Sequence, residues 1–380
     1  NEEDVYSNLF AELFANVDGD TFNNVGNRQG DIVLTTDIEA SRFLYKTLNE
    51  IENEWHGDTV GGIIMDPRDG RIIAMDEIPS FDPNHYGDYD ISSYKNNMIS
   101  GVYEMGSIIK PITMAAAIDA EVVNVNTTYN DTGVVEMNGY KVRNFDGVAR
   151  GVINIHEILD QSLNVGIVYL VKQLGVEKFS EYMHSFGIGG ATGIDLPNEA
   201  EGLTKNLDSS VLVDSATSGF GQGIAITPLE TVRALAVIGN GGILVNPYIV
   251  DSIVYDSGVE KKIIPNDGVR VIQASTSEIV SRMLVHVVDQ SLKKGAYKMD
   301  HYSIAAKTGT AQIPKPGGGY YDDRYLHSFF GYFPAYDPKF IIFLFHVHPK
   351  GAEYASATLT DPFFRIVKFL INYYSLPPDR

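Results

Sequence analysis

Apolar residues recur along this chain with two different periods, and the places where the period changes divide it. From Asp37 to about Trp55, Phe43, Leu44, Leu48 and Ile51 fall at helical spacing behind an aspartate suited to cap a helix. Thr59 to Met65 and Arg71 to Met75 are short β-rich runs, and the intervening Pro67-Arg-Asp-Gly70 is turn chemistry, so the pair predicts a hairpin. Helical spacing resumes near residue 107 and covers Ile108–Ala120, Ile153–Gln161, Val165–Leu174, Val176–Phe186 and Pro228–Ile238. Strand-like runs return at Gly242–Tyr255, Ser303–Lys307, Ser328–Phe333 and Phe340–Val347, and a last helix is expected from about Asp361 to Tyr373. Residues 1–30 are polar and irregular and read as a leader. The pattern predicts an α/β (α+β) chain with one sheet drawn from early and late strands, terminal helices on its flank and a helical region inserted between.

Composition narrows the function classes. With 380 residues and 44% hydrophobic side chains the chain can bury a large core. A net charge of −20 argues against nucleic-acid binding through a broad basic surface. The absence of cysteine excludes a disulfide framework and thiolate metal ligands. No apolar run approaches the roughly 20 residues that span a bilayer. The chain starts at Asn1 without a signal-peptide pattern, as a mature or truncated, soluble product does.

Three short stretches carry the candidate chemistry. Ser107 and Lys110 are three apart, so on a helix their side chains share a face, and Gly106 places the serine at a helix start where backbone N–H groups point outward. A serine hydroxyl needs a base, and Lys110 can be one only when neutral. Neutrality near pH 7 requires a shift of about 3 units from a lysine's usual value, which burial and a second cation such as Lys307 both favour. Ser162 and Asn164 lie where two helical periods meet; in an extended turn, residues two apart face the same way, while the plainer role for Asn164 is a helix cap. Lys307-Thr308-Gly309-Thr310 follows a strand-like run, so Lys307 and the threonines can hold an anion beside a strand edge and Gly309 permits close approach of a ligand or another segment.

Other features compete weakly. Gly219-Phe-Gly221-Gln-Gly223 lacks the spacing of a nucleotide loop and reads as packing, Asp322-Asp323 as a solvated loop, and Gly317-Gly-Gly319 as a flexible link between strands. His346 and His348 alternate onto one strand face, but no acidic partner accompanies them and no metal is expected.

The flanks of the motifs decide among these readings. Tyr103-Glu-Met-Gly-Ser107-Ile-Ile-Lys-Pro111, Gln161-Ser-Leu-Asn-Val-Gly166, Thr192-Gly-Ile-Asp-Leu-Pro197, Gly219–Pro228, Lys307-Thr-Gly-Thr-Ala-Gln312 and Ser328-Phe-Phe-Gly-Tyr-Phe-Pro334 resemble the transpeptidase domain of class B penicillin-binding proteins. The likeness spans about residues 31–375 and is strongest to division-type members through the Tyr103-Glu104 lead and Glu199-Ala-Glu-Gly202. It implies a penicillin-recognising serine transferase (β-lactamase-like) fold, with an antiparallel sheet and an inserted all-helical subdomain. The implied organisation is a leader or pedestal remnant at 1–30 and a transpeptidase domain at 31–380, its sheet part about 31–100 and 242–380 and its helical part about 101–241.

The resemblance also implies roles. Ser107 attacks the D-alanyl-D-alanine carbonyl, Lys110 is the base, Ser162 relays a proton, Asn164 holds the substrate amide and Lys307 tunes the electrostatics. Thr308, Gly309 and Thr310 meet the substrate, and the backbone N–H groups of Ser107 and Thr310 form the oxyanion hole. The ligands are then peptidoglycan stem peptides and β-lactams, and the partners a membrane glycosyltransferase and divisome proteins. No cofactor and no metal are expected. The location is the outer face of the bacterial cytoplasmic membrane, with the anchor lying outside this chain. Met105 and Ala306 depart from the proline and glycine common in the family and alter cleft shape without removing a reacting group. A D,D-carboxypeptidase, a β-lactamase or a non-catalytic β-lactam sensor or scaffold remain alternatives, although no hydrolytic glutamate loop is recognisable between the second and third motifs.

Overall fold

The computed structural model describes residues 30–263 and 267–380, so the leader expected before Gly30 lies outside the described residues. β1 (Gly30–Leu34) precedes α1 (Ile38–Trp55), which starts where the carboxylate of Asp37 accepts the Ala40 N–H at 2.9 Å. The hairpin of β2 (Thr59–Met65) and β3 (Ile72–Ile78) follows. The inserted region carries α2 (Lys110–Asp119), β4 (Thr128–Asp131), β5 (Val134–Met137), β6 (Tyr140–Arg143), β7 (Gly151–Asn154), α3 (Glu157–Asp160), α4 (Asn164–Leu174), α5 (Val176–Ser185), α6 (Leu212–Ser218) and α7 (Pro228–Gly239). Then come β8 (Val250–Tyr255), α8 (Ala274–His286), β9 (Ala305–Pro314), β10 (Tyr320–Phe333), β11 (Phe340–Val347) and α9 (Thr360–Tyr373).

β9, β10, β11, β2 and β3 form one five-stranded sheet in that order, antiparallel at every pairing. Early and late strands therefore meet at β11 and β2, as the pattern predicts. The run Phe340-Ile-Ile-Phe-Leu-Phe345 is apolar at every position because both faces of this central strand are covered. Phe343 and Phe345 join a core with Ile112, Ile167 and Leu235 of α2, α4 and α7. Ile342 and Leu344 point the other way, into a core with Leu44 and Leu48 of α1 and Phe363 and Val367 of α9. The sheet thus separates the inserted helices from the terminal ones, and β9 stands at its edge beside the insertion.

Three segments differ from the periodic reading. The helix expected over Ile153–Gln161 is β7 followed by the single turn α3, because Gly151 sits at φ +71° and the β-branched Val152 and Ile153 pair with β4. The insertion is mainly helical, and it also carries this pair and the β5–β6 hairpin. The run Gly242–Tyr255 stays out of the five-stranded sheet: its β8 portion pairs with β1 and Glu260–Lys262 in a separate small sheet. α8 escapes the periodic reading, although Val280, Met283, Leu284 and Val285 are buried against the inserted helices. Gly317-Gly-Gly319 closes the β9–β10 hairpin, all three at positive φ.

Candidate active site

A 3₁₀ turn, Gly106–Ile109, leads directly into α2, so Ser107 precedes the helix and Lys110 is its first residue. Gly106, at φ +65°, donates its N–H to the Gly221 carbonyl at 3.0 Å. A Cβ on Gly221 would lie 2.2 Å from the Gly106 carbonyl oxygen, so the glycine-rich stretch 219–223 is the bed on which the serine turn rests. Ser328 Oγ clamps the same turn from the sheet side by donating to the Met105 carbonyl at 2.8 Å.

Ser162 occupies the turn between α3 and α4 with φ +56°, a left-handed conformation uncommon outside glycine. That backbone turns both its carbonyl and its hydroxyl toward Lys110, whose Nζ donates to Ser162 O at 2.6 Å and lies 3.2 Å from Ser162 Oγ. Lys307 Nζ approaches the same hydroxyl at 3.0 Å and donates to the Thr308 carbonyl at 3.0 Å. The two lysines therefore meet at Ser162. Ser107 and Lys110 were expected to meet directly, yet among the described residues no hydrogen bond joins Lys110 Nζ to Ser107 Oγ.

Both ammonium groups are out of water, with Lys110 0% and Lys307 3% exposed. Burial, helped by the Lys307 charge, holds Lys110 well below the ordinary lysine range. Burial also lowers Lys307, to about 8, while the Asp160 carboxylate opposes that shift. The shift favours a neutral amine at Lys110 beside an ammonium at Lys307. The neutral amine can give its two hydrogens to Ser162 and keep a lone pair for a third group.

Asn164 is the first residue of α4 rather than its cap, and its Nδ2 donates to the Arg143 carbonyl at 2.9 Å. The cap comes from elsewhere: Asn144 Oδ1 accepts the Val165 N–H at 3.1 Å, and Asn144 Nδ2 is held by the fully buried Asp131 carboxylate at 3.0 Å. No local signal links Asp131 and Asn144 to the Ser162 turn, and the sequence reading misses them.

On edge strand β9, Lys307, Thr308 and Thr310 face a cleft of about 620 Å³ that Ser107, Ser162 and Asn164 also line. Gly309 does not line it. A Cβ there would fall 2.3 Å from Ser328 Oγ and 2.8 Å from the Met105 carbonyl, so this glycine admits the serine turn rather than a ligand. The backbones of Gly106 and Thr310 touch, a Cβ on the former lying 3.0 Å from the Thr310 carbonyl, and this brings the Ser107 and Thr310 peptide groups to one wall. Phe145 and Tyr354, 64% and 45% exposed, meet edge to face at 6.4 Å at the cleft mouth. Asp160, Arg150 and Lys293 add charge to the lining. Chain folding alone assembles these five, and no spacing in the sequence marks them.

His346 and His348 do not make a metal site together. His346 is fully buried in β11, whereas His348 lies past the strand at φ +55° beside Asp58.

Residues 60–367 match the family model described as the penicillin binding protein transpeptidase domain. The chain belongs to this family. Stage V sporulation protein D of Bacillus subtilis (strain 168) is 34% identical over 336 residues, covering 87% of the chain and 52% of the relative. The peptidoglycan D,D-transpeptidase FtsI homolog of Mesostigma viride is 30% identical over 372 residues, 91% of the chain and 62% of the relative. The chain thus spans between half and two thirds of the length of these curated relatives. Among solved structures, apo penicillin binding protein 3 of Mycobacterium tuberculosis superposes with a TM-score of 0.86 at 26% identity, covering 94% of the chain and 83% of that structure. The same protein has been solved with aztreonam and with ampicillin. In this penicillin-binding transpeptidase domain the five-stranded antiparallel sheet and inserted helices are the family's mixed α/β architecture. Among the described residues no helix is long and apolar enough to cross a membrane.

Proposed function

We propose that the chain is a serine D,D-transpeptidase that cross-links peptidoglycan stem peptides and is acylated by penicillin and other β-lactams. The observation that carries this reading is the convergence of Lys110 and Lys307 on Ser162 Oγ at 3.2 and 3.0 Å, in the cleft that Ser107 lines. Ser107 Oγ attacks the penultimate D-alanyl carbonyl and its proton passes to neutral Lys110. The Ser107 and Thr310 N–H groups hold the oxyanion, a contribution of about 3–4 kcal/mol per donor. Ser162, linked to both amines, returns the proton to the departing D-alanine nitrogen as the C–N bond breaks. Lys307, Thr308 and Thr310 hold the terminal carboxylate, and Asn164 the substrate amide. An amine of a second stem peptide then attacks the Ser107 ester and restores the hydroxyl. In a β-lactam the cleaved amide is in the ring, so the leaving nitrogen stays tethered and the ester persists.

The site accordingly belongs at the cell envelope, on the outer face of the cytoplasmic membrane, working with a membrane glycosyltransferase and division proteins. Intact-mass measurement after incubation with ampicillin tests the reading. One adduct is expected on the wild type and none on Ser107→Ala. Absence of an adduct on folded wild-type protein overturns the reading, and rapid hydrolytic turnover of the drug replaces the transpeptidase with a hydrolase.

A further inference from the structure

Beside the cleft, three metal-ligating side chains point at one another. The ligand atoms of His156, Glu157 and Asp160 all lie within 4.8 Å of each other, with His156 Nε2 3.3 Å from Glu157 Oε1 and 3.9 Å from Asp160 Oδ2. Each is oriented by a partner on its far side. Asn154 Nδ2 donates to the Val125 carbonyl at 2.8 Å, which turns Asn154 Oδ1 toward His156, where it meets the backbone N–H at 3.0 Å and Nδ1 at 2.8 Å. An amide oxygen only accepts, so Nδ1 carries a proton, and the Nε2 lone pair faces inward whenever the ring is neutral. Gln161 Nε2 donates to Glu157 Oε2 at 2.7 Å, and its own Oε1 accepts from Arg150 at 3.0 Å. His286 Nδ1 holds Asp160 Oδ1 at 2.9 Å.

What remains facing inward is Nε2, Oε1 and Oδ2: three lone-pair donors with no proton between them when the imidazole is neutral. Tetrahedral ligands about 2.0–2.2 Å from Zn²⁺ stand roughly 3.4 Å apart, close to the two distances found. Outer hydrogen bonds that fix tautomer and carboxylate orientation are the usual setting of such a site. We propose that His156, Glu157 and Asp160 bind a divalent transition-metal ion, with Zn²⁺ as the fitting case and Asn154, Gln161 and His286 as its supporting shell. The competing arrangement is an imidazolium at His156 paired with the two carboxylates and no metal.

The location gives the ion a consequence. Asp160 lines the catalytic cleft and Ser162 is two residues further on, so a metal at α3 restrains the left-handed turn that presents Ser162. Binding itself does not depend on the acyl-transfer reading.

Equilibrium dialysis of the metal-stripped chain against ZnCl₂, with Co²⁺ absorption as a second readout, tests the site. The wild type is expected to retain one equivalent of Zn²⁺ and to give a Co²⁺ d–d spectrum. His156→Gln and Glu157→Gln are expected to lose both while keeping the wild-type circular dichroism. Asn154→Ala, which removes only the orienting amide, is expected to bind about ten- to a hundredfold more weakly. A wild type that retains no Zn²⁺, retention by His156→Gln, or a His156 ring shown by NMR to be doubly protonated and indifferent to Zn²⁺ overturns the proposal.

Discussion

Lys307 Nζ lies 3.0 Å from Ser162 Oγ, which joins the sheet edge to the inserted helices through one hydrogen bond between residues 145 positions apart. Lys110 reaches the same hydroxyl from beneath, so the protonation states of the two amines are tied together.

That tie has a pH signature. The Lys307 charge is one of the two causes that depress Lys110, so Lys307→Gln raises the Lys110 pKa and moves the acid limb of the acylation profile to higher pH. In the wild type, activity falls on the alkaline side as Lys307 loses its proton near its pKa of about 8. Stopped-flow acylation by a fluorescent penicillin across pH 5–10 measures both limbs. An unmoved acid limb in Lys307→Gln contradicts the coupling.

Ser162 allows function and strain to be separated. Both Ser162→Ala and Ser162→Gly remove the hydroxyl and are expected to slow acylation by about 10²- to 10⁴-fold. Only alanine must still hold φ at +56°, so the glycine variant is expected to be the more stable by about 1–2 kcal/mol. Urea unfolding of the two variants checks the order.

Gly309 is predicted to be intolerant of a side chain for a packing reason. Gly309→Ala drives a methyl into Ser328 Oγ and the Met105 carbonyl, separating β9 from the serine turn. Thermal stability and acylation fall together. Adding Ser328→Ala recovers only part of either, because the Met105 carbonyl still lies at 2.8 Å.

Acid sensitivity is expected from the sheet rather than from the cleft. His327 and His346 are cross-strand neighbours, both 0% exposed and both depressed to about 4 by burial. His327 is bonded to Thr358 and Glu353, while neither nitrogen of His346 has a hydrogen-bond partner among the described residues and Glu52 Oε2 stands 3.5 Å off. The unfolded chain binds these protons near pH 6.5 and the folded chain does not. Stability is therefore complete above about 6.5 and declines as pH falls toward 4, by on the order of 3 kcal/mol per histidine. Urea midpoints at pH 7, 5.5 and 4.5 measure the loss, and His346→Leu is expected to flatten it.

Sequence alone determined much of the scaffold and marked the short motifs that meet at the cleft. The capped helix behind Asp37, the early hairpin, the late apolar strands and the final helix are local patterns, since a period of two or of 3.6 and a turn residue are properties of neighbouring positions. Ser107, Lys110, Ser162, Asn164 and Lys307 were legible for the same reason, each lying in a short motif with distinctive flanks. Where a glycine overrode the local period, as at Gly151–Asn154, the pattern misled, and at Val250–Tyr255 it gave the strand but not the sheet that strand joins. Tertiary structure decided the rest: that Lys110 bonds Ser162 rather than Ser107, that Asn144, held by Asp131, caps α4 in place of Asn164, and that Gly309 makes room for the Met105 carbonyl. Only the fold withdraws both lysines from water and sets them against one hydroxyl. Burial and charge proximity depend on every chain segment packed around a group, and no stretch of sequence contains them.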